Sequence, residues 1–123
     1  MKEDAGFTLI ELVAVLVILA LLGAMAVPRF TDVSNDALTA AKNGSIAGVR
    51  SGHAMAIAKL KTLPQLSELA TYVGGPNIAI AADNSGIEVT INSVAYIVKT
   101  YKDTTCTTAT ALAADPVGCV GEI

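Results

Sequence analysis

Between Phe7 and Val27 the chain runs for 21 residues with only two strongly polar members, Thr8 and Glu11. Coiled as an α-helix this stretch is about 31 Å long, enough to cross the hydrocarbon core of a bilayer. Whatever fold the remaining residues adopt must therefore accommodate one long apolar helix at the N-terminus. Glu11 is the awkward residue. A carboxylate in hydrocarbon costs roughly 2–4 kcal/mol unless it is paired or close to the interface, so an acid there marks a function by default.

Three readings of the segment compete. Ala24-Met25-Ala26 has the small residues of a secretory cleavage site. Against this, the short region ahead of Phe7 is net acidic (Lys2, Glu3, Asp4), and the apolar run exceeds the usual core of a signal peptide. A plain transmembrane anchor fits the length but leaves Glu11 unexplained. The third reading comes from the run Gly6-Phe7-Thr8-Leu9-Ile10-Glu11-Leu12, with Pro28 near the end of the apolar helix. It resembles the processing motif of type IV pilins and of their relatives, the type II secretion pseudopilins.

The resemblance is dense over about the first 30 residues and architectural beyond them. It implies a leader at residues 1–6, an assembly and membrane half of a long helix at 7–28, and a globular head at 29–123. It implies cleavage between Gly6 and Phe7 by a prepilin peptidase, followed by N-methylation of Phe7. The resemblance further implies an inner-membrane precursor handled by inner-membrane assembly machinery, and then a homo-oligomeric helical filament outside the cell. Glu11 lies one helical turn beyond Phe7. In a stack of subunits its carboxylate can meet the α-ammonium of a neighbour's Phe7. A subunit docked out of step would leave a charge unpaired in an apolar bundle, which is costly. Pro28 removes a backbone hydrogen bond and kinks or locally opens a helix. The expectation is a continuous helix before assembly and local melting near Pro28 after it.

Helical pattern continues to about Leu60, rich in Ala. Placing residues 100° apart puts Phe30, Val33, Ala37, Ala41, Gly44, Gly48 and Met55 on one face. Ile46, Val49, His53, Ile57 and Leu60 form a second stripe on the distal half only. The second stripe is expected to pack on the chain's own head and the first to face other subunits. Gly44, Gly48 and Gly52, spaced by four, suit close helix approach. His53 has no Cys, Asp or Ser companion and reads as a satisfied core histidine.

Pro64 stops the long helix and opens a short one to Tyr72. From Gly74-Gly75-Pro76 onward the pattern changes to strands: Asn77 to Ala82, Ile87 to Ile91 with period two, and Val94 to Tyr101, joined by turns at 83–86 and Asn92-Ser93. The fold class is α+β, a long N-terminal helix over a small antiparallel sheet of about three strands. With the resemblance this becomes the pilin fold. Residues 103–123 have weak periodicity and many threonines, and read as polar and exposed.

Cys106 and Cys119 are the two cysteines. A disulfide suits a C-terminal part that leaves the cytoplasm, and two free buried thiols suit one that does not. The resemblance favours a bridge enclosing a surface loop. One His and no CxxC argue against zinc, and Asp103, Asp115 and Glu122 are too scattered for a calcium loop. Neither a metal nor a cofactor is expected. A net charge of −3 without any basic run argues against nucleic acid. No nucleophile–base pair, phosphate loop or paired carboxylates suggest an enzyme, and Glu88 and Glu122 read as solvated. The function implied is a structural pilus subunit, with a pseudopilin or a minor pilin as the alternative.

Overall fold

The computed structural model describes residues 6–123, without the side chains of residues 27, 28 and 30–32. The expected leader thus lies outside the described residues except for Gly6. The described residues form helix α1 (Leu9–Leu60), helix α2 (Leu66–Val73) and strands β1 (Ile78–Ile80), β2 (Gly86–Ile91), β3 (Val94–Tyr101) and β4 (Cys119–Val120). This is the α+β arrangement read from the sequence. By internal contacts the chain divides into Met1–Ala37 and Leu38–Ile123.

In the first unit, α1 begins at Leu9 and the window Leu9–Ala26 is long and apolar enough to span a membrane. None of it is buried by the chain itself. Helical backbone continues through Pro28 without interruption.

In the second unit, α1 ends where expected. Lys61 turns left-handed (φ 60°) and its N–H closes on the carbonyl of Ile57 at 2.9 Å. The distal stripe is the one that packs on the head. Val49 is fully buried, Ile46 packs against the core, and Ala56 adds a small buried contact. The other stripe, represented by Val33, Ala41, Gly44, Gly48 and Met55, is exposed.

The glycine series divides between these two environments. A Cβ on Gly44 or Gly48 would meet open space. One on Gly52 would lie 2.8 Å from Val73 Cγ2 and 3.1 Å from the Val73 backbone. Gly52 is therefore the point where the end of α2 closes onto α1, inside one subunit.

The short helix starts later than the sequence suggests. Pro64 is buried but precedes Gln65, the N-cap, and the first helical residue is Leu66. The Gln65 N–H donates to Glu68 Oε2 at 2.8 Å, one half of the bond pattern that closes a helix start. Two of the next N–H groups are satisfied from far along the chain. Leu66 donates to the carbonyl of Asp115 and Ser67 to that of Ala113, both at 3.0 Å. The C-terminal segment thus supplies acceptors for donors that a helix start leaves unpaired.

The sheet is antiparallel in the order β1-β2-β3-β4. Asn92 and Ser93, at φ 51° and 65°, form the two-residue turn with the twist that a tight hairpin requires. Register pairs Ile87 with Val98 and Val89 with Tyr96. One face of this ladder, Ile87, Val89 and Val98, meets Leu66, Leu69 and Val49 to make the core.

Two expectations about the C-terminal segment are corrected. The sheet has four strands, because Cys119–Val120 pairs with Thr100 and Tyr101. Residues 103–123 are not uniformly exposed: Val117 and Val120 complete the core, and Thr110 is buried with it. The Thr110 hydroxyl satisfies itself against the Thr100 hydroxyl at 2.7 Å and donates to the Asn84 carbonyl at 2.8 Å. Hydrogen bonds let a threonine stay where periodicity places only apolar residues.

Candidate functional site

The N-terminal site is built on the start of α1. Gly6, Phe7 and Thr8 precede the helix, and the Phe7 side chain is 92% exposed. Thr8 is the N-cap. The Glu11 N–H donates to Thr8 Oγ1 at 3.3 Å, and the Thr8 N–H returns to Glu11 Oε2 at 2.8 Å. The Thr8 hydroxyl donates to the same carboxylate oxygen at 3.0 Å. This reciprocal pattern is a capping box, with a carboxylate also favoured by the positive end of the helix dipole. The sequence signal was available in Thr8-x-x-Glu11 ahead of an apolar run. Within one chain, then, Glu11 already has partners, and pairing with a neighbour's amine would be an exchange of hydrogen bonds.

Beyond the box, every large apolar side chain from Leu9 to Met25 that is described is at least 44% exposed. The surface left uncovered by the chain itself is thus a complete helical cylinder, which suits lipid or other apolar helices.

The second candidate region is the loop closed by the Cys106–Cys119 disulfide, with the two Cα atoms 5.4 Å apart. Cys106 is left-handed at φ 57°. Asp103 organises this loop. Its carboxylate accepts from the Thr105 hydroxyl at 2.5 Å, from the Thr107 hydroxyl, and from the N–H groups of Thr107 and Thr108 at 3.1 and 2.9 Å. These donors hold the Asp103 carboxyl far below the ordinary aspartate range, the Thr105 and Thr107 hydroxyls contributing most. The threonines therefore have a structural task that composition alone does not reveal. Thr104, Thr105, Thr107 and Thr108 are all exposed.

Asp115 clamps the far side of the loop. It accepts from the N–H groups of Ala111 and Leu112 at 2.8 and 2.9 Å and pairs with Lys102 at 3.1 Å. The Ala111 N–H is the main cause of its lowered pKa. Asp103, Asp115 and Glu122 are not brought together: the first two serve separate turns, and Glu122 is exposed on the last segment. Among the described residues there is no cluster of three His, Cys, Asp or Glu side chains. His53 is half-buried, with Nε2 2.8 Å from the Val117 carbonyl. It ties α1 to the C-terminal segment, the structural role read for it.

Residues 1–27 match the family model for the prokaryotic N-terminal methylation motif. The chain is also 44% identical, over 64 residues, to the type IV narrow pilus major component PilA5 of Thermus thermophilus. That match spans 52% of this chain and 55% of the relative, about half of each. No solved structure matches the chain. The chain joins a long apolar N-terminal helix to a small disulfide-closed α+β head. The methylation motif and the similarity to PilA5 support a type IV pilin.

Proposed function

We infer that the chain is the structural subunit of an extracellular type IV pilus. The observation that carries this reading is the N-terminal motif joined to a fully exposed apolar helix with one acid near its start. A prepilin peptidase in the inner membrane cuts between Gly6 and Phe7, and the new Phe7 amine is methylated. Until assembly the apolar half of α1 holds the subunit in the inner membrane. On assembly that helix leaves lipid for a bundle of identical helices.

The Glu11 carboxylate then exchanges the Thr8 donors for the Phe7 ammonium of a neighbour. A mismatched register would leave both charges unpaired in a low-dielectric core, where breaking such a pair costs about 3–5 kcal/mol. Pro28, which has no amide hydrogen, is the point at which α1 opens in the packed filament. The head stays folded throughout, because its core uses only the distal stripe of α1.

The test is Glu11→Ala in the full chain. The expected result is a membrane-bound protein with a folded, disulfide-closed head and no normal filaments. Abundant wild-type filaments from this variant would refute the register role.

A further inference from the structure

The assembly reading leaves unused a groove on the head, about 560 Å³ in volume. Lys42, Asn43, Ile46 and Arg50 of α1 line one side, and Glu122 and Ile123 the other. Its lining is mostly apolar and carries two cations, Lys42 and Arg50, beside the acid Glu122. Lys42 Nζ sits 4.2 Å from the centre of the Tyr96 ring, which fixes the direction of the ammonium. Arg50 reaches the carbonyls of Val120 and Gly121 at 3.4 Å, the long limit of a hydrogen bond. Among the described residues neither cation has a carboxylate within ion-pair distance.

Most described acids are already engaged. Glu11 is held by Thr8, Glu68 by the Gln65 N–H, Asp83 by Ser85, Asp103 by its threonines and Asp115 by Lys102. Among the described residues, the carboxylates of Asp36, Glu88 and Glu122 have no such partner. Glu122 belongs to the groove itself. Glu88 lies mid-strand, half-buried, between its ladder partners Ala79 and Ile97. Asp36 is exposed on α1.

We propose that the groove receives Asp36 of a second copy of this chain, with Lys42 as its ionic partner. The proposal rests on the pilus reading and specifies one of its contacts. A second line of reasoning supports it. Subunits in a filament are displaced along the axis by one repeated step. For a neighbour's Phe7 amine to meet Glu11, that step must cover two extended and two helical residues, less the reach of the side chain. This amounts to about 6–10 Å. Asp36 precedes Lys42 by six helical residues, about 9 Å. The direction is also the same, the lower-numbered residue of one copy meeting the higher-numbered residue of the other. The two contacts therefore call for the same axial displacement. That match holds even if the helix opens near Pro28, since every residue of a copy moves by the same step.

The test is a charge swap in the full chain, expressed in place of the wild type in cells that make the filament. Asp36→Lys and Lys42→Glu should each lower the yield of sheared filaments at least about tenfold, since like charges then face each other. The double variant should recover to within about twofold of wild type. Asp36 is exposed, so Asp36→Lys leaves folding intact, which disulfide formation verifies. Normal filaments from either single variant, or a double variant no better than the singles, would overturn the pairing alone. Wild-type cells with no filament containing this chain would overturn the pilus reading and the pairing with it.

Discussion

Gly52 and Gly48 stand one turn apart on α1, and the structure assigns them opposite sensitivities. In an open helical position, Gly→Ala stabilises by about 1 kcal/mol because the backbone has less freedom to lose. Gly48 is such a position, with nothing within 4 Å of an added methyl group. Gly52 would receive the same gain, but the methyl would press on Val73 at 2.8 Å, with the Val73 backbone at 3.1 Å. The side chain can move, whereas the backbone is held where α2 ends. Overpacking of this kind costs about 1–3 kcal/mol. Gly48→Ala should therefore stabilise the head by about 1 kcal/mol, and Gly52→Ala should change it by about 0 to −2 kcal/mol. Each kcal/mol moves the midpoint by about 4–8 °C in a domain of this size. Tyrosine fluorescence of the full chain in detergent reads this cleanly, because the chain has no Trp and Tyr72, Tyr96 and Tyr101 all lie in the head. Gly52→Ala melting at or above Gly48→Ala would refute the packing assigned to Gly52. A larger residue sharpens the contrast: Gly48→Leu should raise the melting midpoint nearly as much as Gly48→Ala yet reduce filament yield.

The disulfide closes a loop with a sequence separation of 13, worth about 3 kcal/mol in the chain-entropy model. Replacing both cysteines by serine should lower the midpoint accordingly, and the wild-type mass should rise by two hydrogens on reduction. Asp103 has a carboxyl pKa lowered by its threonine donors, so its contribution is fully present above the unfolded value near 4 and falls away as pH drops below it toward the folded pKa. Carboxyl NMR should place the Asp103 midpoint well below the ordinary aspartate value, and Asp103→Asn should remove this part of the acid dependence.

The sequence showed the parts of the fold that repeat. The two stripes on α1, the stop before Pro64 and the Asn92-Ser93 hairpin all follow from periodicity or turn chemistry, and each lies where read. What it did not show depends on contacts between distant segments. Strand β4 has two residues, too few for a period, and exists because Cys119–Val120 lies beside Thr100 and Tyr101. Thr110 looked like surface because its burial depends on two acceptors that the fold brings to it. The Asp103 loop is local and was legible in principle, since Asp followed at two and four residues by Thr favours side-chain-to-backbone turns. At the N-terminal site, Glu11 was legible as an acid out of place in an apolar run. Its partner Thr8 was the part left unread, and under the proposed assembly it turns capture of a bare carboxylate into exchange of a capped one.

The most direct measurement is mass spectrometry of the subunit in filaments sheared from the cell surface and seen by electron microscopy. A chain that begins at N-methylated Phe7 and retains the Cys106–Cys119 bridge is the expected result. Filaments lacking this chain, or a chain in them that still carries Met1 to Gly6, would contradict the proposed processing and assembly.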